Sequence, residues 1–223
     1  MSLTETLIQQ LLNGLILGSF YSLVALGYTM VYGIIKLLNF AHGDLYMVGG
    51  FIGFALLLPF SSILGNGWLA IIPVMLLAMI IVGFLGVLIQ KIAYIPLLRA
   101  PRLSLLISAL AVSMILSNGI MVLTDGEYKP FNIDLGFGGI EMGNIYISYI
   151  QIMLVVTTSL LMIALHLFVK KTTYGKAMRA IAIDQDACRL MGINVNKIIA
   201  MTFFIGSALA AAAGIMAGIC YGN

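Results

Sequence analysis

The chain of 223 residues is dominated by apolar side chains: 62% of its residues are hydrophobic and only 9% are charged. Soluble domains carry about 25% charged residues. Eleven basic and eight acidic side chains cannot cover a soluble globule of this length. The composition therefore excludes a water-soluble enzyme, a disordered chain and a disulfide scaffold, and it predicts a polytopic membrane protein.

Long stretches without Asp, Glu, Lys or Arg divide the chain into candidate membrane spans. In chain order these gaps are 30, 46, 22, 28 and 26 residues long. Because about 20 apolar helical residues cross a bilayer, four gaps hold one span each, and the longest holds two. Pro59 and the turn-like run at 61–67 divide the longest gap. The predicted spans are 7–30, 43–60, 69–90, 103–124, 146–168 and 198–220.

The expected fold class is all-α, with about six transmembrane helices. In lipid each segment must satisfy its own backbone hydrogen bonds, which a helix does. Runs such as 154–165 lack the alternation of polar and apolar residues that a β-barrel strand requires.

The basic residues indicate the orientation of the chain. One set of alternating loops contains ten of the eleven Lys and Arg residues, and the 125–145 loop on the other side contains four acids and one Lys. The positive-inside rule places the basic loops in the cytoplasm and the N-terminus outside. The basic residues are thus explained by their position in loops beside the membrane, so nucleic acid is not an expected partner.

Small residues recur every four positions in the first and last predicted spans. The first span has Gly14, Gly18 and Ser22, and the last has Gly206, Ala210, Gly214 and Gly218. This spacing lets helix backbones approach closely in lipid. We expect packing within the chain, and the alternative is that one such face lines a dimer interface or a path of variable width.

The start of the second predicted span contains an unusual polar cluster. The residues concerned are Asn39, Phe40, His42, Gly43 and Asp44. Polar groups at membrane depth usually face protein or water. A structural interpretation has Asn39 capping a helix, with Asp44 near the positive end of its dipole. A functional role is equally compatible with the sequence. One His and one Asp are too few for a metal site.

No catalytic set can be assembled from the two histidines, His42 and His166, on separate cytoplasmic flanks. We therefore expect no enzyme activity, and His166 is expected at the membrane interface. Cys188 and Cys220 fall on opposite sides of the membrane, which argues against a disulfide. The chain has no P-loop motif, so any ATP hydrolysis must come from a partner.

Polar residues within the spans give no substrate site. The candidates at depth are Asn13, Ser108, Ser113 and Asn118, and interhelical hydrogen bonding explains each equally well. The residues that bind a substrate stay unassigned.

The 170–197 loop is predicted to form two short helices. An Ala-rich segment at 176–183 favours one helix. Asp184 is expected to cap a second helix at 185–191, which ends at Gly192. The apolar residues Ala187, Leu190 and Met191 share one face of this helix. Such a helix either lies on the membrane surface or docks into a groove on another protein.

Several stretches along nearly the whole chain resemble one family. They are Gly27–Ile35, Asn39–Met47, Gly175–Ala180, Asp184–Asn194 and Thr202–Gly214, and the run Asn39-Phe40-Ala41-His42-Gly43 is the most specific. The chain is similar to the inner-membrane permease subunit of bacterial branched-chain amino-acid ABC transporters. The resemblance implies a single permease domain over residues 1–223. Because family members continue with further spans, we expect this chain to lack the C-terminal ones.

The resemblance also implies partners and a coupling site. Two cytoplasmic ABC ATPases would hydrolyse ATP with Mg, a second permease would complete the path, and a periplasmic binding protein would deliver leucine, isoleucine or valine. No cofactor is expected on this chain. The segment Asp186-Ala187-Cys188 with Gly192 resembles a divergent coupling helix. The residues assigned to the coupling loop are Gly175, Arg179, Asp184, Asp186, Ala187, Arg189 and Gly192. Arg179 and Arg189 are predicted to pair with acids of the ATPase.

Two alternatives stay open at this stage. Relatives of this family carry urea, short amides or other amino acids, and the spans do not choose among them. A passive channel or ion-coupled carrier is opposed by the absence of charged residues at the span centres.

Overall fold

The computed structural model describes residues 3–36, 38–64, 68–97, 100–127, 138–142 and 144–221. The α-helices in chain order are α1 (Leu3–Ile35), α2 (His42–Leu64), α3 (Trp68–Ile89), α4 (Arg102–Thr124), α5 (Tyr149–Lys171), α6 (Thr173–Ile183), α7 (Gln185–Leu190) and α8 (Val195–Tyr221). Among the described residues, six helices are long and apolar enough to cross a membrane, and each corresponds to a predicted span. The polytopic helical prediction is confirmed.

Helix α8 is the centre of the bundle, with α1, α2 and α3 packed around it. Its small residues make this possible. A Cβ added to Gly206 would lie 3.0 Å from the carbonyl oxygen of Gly27 on α1. A Cβ on Gly214 would overlap the carbonyl oxygen of Tyr46 on α2. The backbones are therefore in direct contact, and the predicted intramolecular packing is confirmed for α8.

The corresponding prediction for α1 is wrong for its two glycines. A Cβ added to Gly14 or Gly18 would meet no atom within 4 Å in the described chain. Both positions are exposed, because α8 packs on another face of α1, formed by residues such as Leu23 and Gly27. Within the described residues, Gly14 and Gly18 therefore form an open surface of α1.

A short β-hairpin precedes α5, where the sequence predicted only loop and the start of a span. Strand β1 (Gly139–Met142) pairs antiparallel with β2 (Ile145–Ser148), with Gly139 opposite Ser148. The Ile-Tyr-Ile sequence of β2 has the β-branched and aromatic residues that favour strands. Ser148 then forms a capping box with Gln151, so α5 begins at Tyr149 rather than at 146.

The hairpin is tied to the N-terminal end of α1. The side-chain amide of Gln9 donates to the Tyr146 carbonyl at 3.2 Å and accepts from its N–H at 3.1 Å. This amide pairs with β2 as a neighbouring strand would. Asn144 also donates to Glu5 at 3.0 Å. The predicted outer ends of α1 and α5 are thus held together.

Two other features of the spans differ from expectation. The predicted turn at 61–67 begins too early, because α2 continues through Pro59 to Leu64; residues 65–67 lie outside the described chain. Helix α3 continues beyond Ile89 as a π-helical turn at Gln90–Tyr94 and a 3₁₀ turn at Ile95–Leu97. Such π turns occur frequently at functional sites.

Candidate functional site

The two helices of the predicted cytoplasmic loop form as the sequence predicted. The Thr172 side chain caps α6 by accepting from the Gly175 N–H at 3.0 Å. A Cβ at Gly175 would overlap the Val169 carbonyl oxygen, so glycine allows α6 to turn tightly against the end of α5. Arg179 donates to that same carbonyl. Gly175 and Arg179 thus fix the corner between α5 and α6.

Helix α7 has well-formed ends. The Asp184 carboxylate accepts from the N–H groups of Asp186 at 2.9 Å and Ala187 at 3.0 Å. At the other end Gly192 has a φ of +79°. Its N–H donates to Arg189, and the next N–H, of Ile193, donates to Cys188. This is a Schellman motif, which favours glycine at the left-handed position. The predicted cap and stop residue are both confirmed.

One face of α7 is anchored and the opposite face is free. Cys188 is buried in the same apolar cluster as Val31 of α1 and Ile199 of α8. In contrast, Leu190 is 90% exposed and Met191 is 82% exposed. Ala187 is exposed as well. Helix α7 is therefore fixed to the bundle, and its predicted apolar face has no partner in the described chain.

Polar contacts complete the surroundings of α7. Gln185 donates to the Ile34 carbonyl near the end of α1 at 3.4 Å. Arg189 forms an ion pair with Asp186 within α7, also at 3.4 Å. A cavity of about 1170 Å³ lies between α7 and the end of α1, and Lys36, Gln185 and Arg189 are among its lining residues. The pairing of Arg179 and Arg189 with a second protein stays a prediction.

The segment before α2 turns back along α1. His42 Nε2 lies 3.1 Å from the carbonyl oxygen of Val24. Val24 precedes the end of α1 by eleven residues, about 16 Å at the rise of an α-helix. The imidazole packs where α1 crosses α8, since a Cβ at Gly27 would lie 3.0 Å from the ring. The side chain of His42 therefore joins the start of α2 to the middle of α1.

The capping role considered for Asn39 is wrong. Its side-chain oxygen accepts from the Tyr94 hydroxyl at 2.8 Å, and both residues are buried. Asn39 thus bridges to the π turn at the end of α3 instead of capping α2. Asp44 does lie in the first turn of α2, as expected, and it accepts a hydrogen bond from Ser117 of α4.

The other members of this cluster are more open. Phe40 is 43% exposed, and a Cβ at Gly43 would meet nothing within 4 Å.

Two buried side-chain nitrogens in the described chain have no hydrogen-bond partner, namely Nδ1 of His42 and Nε2 of Gln90. Such groups are rare in native proteins and require an explanation.

Comparison with known proteins identifies the family. Residues 10–223 match a family described as the permease component of branched-chain amino acid transport systems. The chain belongs to this family. It is 43% identical to the high-affinity branched-chain amino acid transport system permease protein BraD of Pseudomonas aeruginosa, over 96% of this chain and 72% of that protein. No solved structure matches the chain significantly.

Two further relatives extend the comparison. The permease is 39% identical to LivH of Escherichia coli strain K12, over 96% of this chain and 71% of that protein. It is 29% identical to a probable LivH of Methanocaldococcus jannaschii, over 91% and 63% respectively. Family membership and the six apolar helices among the described residues make the permease a multi-pass inner-membrane protein.

Sequence reasoning missed two buried residues of the permease in the π turn: Tyr94, which the fold brings to Asn39, and Gln90. Tyr94 and Gln90 lie in an apolar stretch beside Lys91, and their residue types alone do not separate them from interfacial side chains. Of the polar candidates at depth, Ser108 of α4 donates to the Ala93 carbonyl in the π turn. Among the described residues, Asn118 donates only to Met114 of its own helix.

Proposed function

We propose that this permease is the membrane subunit of an ATP-driven importer of branched-chain amino acids. A second permease completes the path, two cytoplasmic ABC ATPases drive it, and a periplasmic binding protein delivers leucine, isoleucine or valine. The relatives' names support the substrate class. The ATPases bind ATP and Mg. This chain forms the transport path and catalyses no reaction.

The observation that carries the proposal is the free apolar face of α7. Leu190 and Met191 project from a helix that is capped at both ends. Burying each of them in an ATPase groove would contribute about 1.5–3 kcal/mol. The buried contacts of Cys188 with the cluster of α1 and α8 would transmit movement of the docked ATPase to the spans.

The open stripe of α1 is a suitable surface for the second permease. Gly14 and Gly18 are exposed and lie four residues apart on one face of the helix, close to one turn of 3.6 residues. Small residues allow close helix approach in lipid, where packing drives association. The path would then run along this face.

Co-purification of the ATPase tests the docking. Ala187→Glu places a charge on the apolar face, and Gly192→Pro prevents the left-handed conformation that ends α7. Both variants are expected to insert normally and to lose the ATPase. Thr173→Glu is the matched control, because it adds the same charge at an exposed position of α6. Retention of the ATPase by both variants would refute the role of α7.

A further inference from the structure

A cavity of about 390 Å³ lies between α1 and the segment that leads into α2. Ligand pockets commonly have volumes of roughly 300–1,000 Å³. The cavity opens on the α1 face that the described helices leave uncovered, since Tyr21, Ala25 and Thr29 are exposed there. Val24, Ala25 and Phe40 supply apolar wall. Asn39 and His42 also line the cavity, with side chains that are almost completely buried behind it.

His42 presents a hydrogen-bond acceptor. A carbonyl oxygen only accepts, so the 3.1 Å contact with Val24 requires the proton on Nε2. An imidazolium buried without a counter-ion would be costly, so the ring is neutral and Nδ1 carries a lone pair. Nδ1 is buried and has no hydrogen-bond partner among the residues that the structure describes. The complementary ligand group is a hydrogen-bond donor.

Asn39 presents donors. The Tyr94 hydroxyl donates to its Oδ1 at 2.8 Å and so fixes the orientation of the amide. The Nδ2 group has two N–H donors, and it donates to no other residue in the described part of the chain. The complementary ligand group is an acceptor such as a carboxylate.

We propose that this cavity is the site that branched-chain amino acids occupy as they cross the permease. The α-ammonium group donates to His42 Nδ1, the carboxylate accepts from Asn39 Nδ2, and the aliphatic side chain packs on Val24, Ala25 and Phe40. Besides Asn39 and His42, the described lining residues include the hydroxyl-bearing Tyr21, Tyr28 and Thr29 and no charged side chain, which suits a zwitterion without net charge. The assignment rests on the proposed importer function. Because both side chains are almost completely buried in this conformation, the ammonium and the carboxylate reach them when α1 and the 39–43 segment separate during transport.

The size of the cavity provides the first test. Ala25→Leu fills part of the apolar wall from an exposed position. One methylene in an apolar pocket changes discrimination by about 10–200-fold. ATP-driven uptake of leucine and isoleucine should fall at least tenfold, and uptake of valine should fall less. Ala55→Leu is the matched control, since Ala55 is exposed on α2 outside the cavity.

The polar contacts provide the second test. Asn39→Asp keeps an oxygen for the Tyr94 hydroxyl and removes the N–H donors. Uptake of labelled leucine should fall at least tenfold. The amount of permease in the membrane and the co-purified second permease and ATPase should not change. If this variant fails to insert, the Ala25→Leu measurements decide alone.

The assay uses proteoliposomes with the permease, its second permease, both ATPases and the binding protein. Wild-type uptake with the expected losses in the variants supports the site. Wild-type uptake with Ala25→Leu unchanged in its leucine-to-valine ratio overturns the site and leaves the importer function intact. Absence of wild-type uptake of all three amino acids refutes the function, and the site assignment is then refuted with it.

Discussion

The contact between α2 and α8 predicts that a single methyl group, added by Gly214→Ala, lowers the stability of the permease substantially. A Cβ at Gly214 would overlap the carbonyl oxygen of Tyr46 and lie 2.9 Å from the Gly50 nitrogen. Backbone atoms cannot rotate away, so the two helices must separate along their interface. Over-packing of this kind costs about 1–3 kcal/mol.

Gly119→Ala on α4 is the matched control, because a Cβ there would meet nothing within 4 Å. Both substitutions gain the same helix propensity, about 1 kcal/mol. The difference between the variants therefore measures the over-packing alone. For a chain of this size, 1–3 kcal/mol corresponds to a difference of roughly 2–12 °C in thermal midpoint.

The assay heats the tagged permease in detergent and measures the remaining monodisperse fraction by size-exclusion chromatography. Gly214→Ala should have the lower midpoint. Equal midpoints for the two variants would refute the direct backbone contact between α2 and α8.

Three further predictions follow from buried or exposed groups. Tyr94→Phe leaves the side-chain oxygen of Asn39 without its donor and should lower the free energy of unfolding by about 1–3 kcal/mol. The measurement is the thermal midpoint, and an unchanged midpoint would contradict the buried hydrogen bond between Tyr94 and Asn39. Leu190→Ala removes about 2 kcal/mol of apolar burial on docking, so titration with purified ATPase should show roughly 30-fold weaker binding with unchanged thermal stability. Gly192→Ala forces a side chain into the left-handed region at about 1–2 kcal/mol, and limited proteolysis should cleave the loop at α7 faster than in wild type.

The sequence was most informative where one physical constraint dominates. Spans followed from charge-free gaps, because charges are costly in lipid. The ends of α7 followed from Asp184 and Gly192, because local hydrogen bonding and a positive φ decide them. These features depend on neighbouring residues and need no knowledge of tertiary contacts.

Features that depend on distant contacts could not be predicted. Asn39 was a plausible helix cap locally, but Tyr94, which is far along the chain, takes its side-chain oxygen. The repeats of small residues in α1 and α8 are similar in sequence. Within the described chain, however, Gly206 and Gly214 of α8 pack closely against other helices, whereas Gly14 and Gly18 of α1 do not. The hairpin before α5 is fastened by Gln9 of α1, a contact that no local pattern indicates.

ATP-driven uptake of labelled leucine tests the central claim most directly. The complete complex is reconstituted in proteoliposomes with the binding protein outside and ATP inside. The importer function predicts accumulation that requires both ATP and the binding protein and persists when ion gradients are dissipated. Equal uptake without ATP, or uptake that follows an imposed ion gradient, would contradict it in favour of a channel or an ion-coupled carrier.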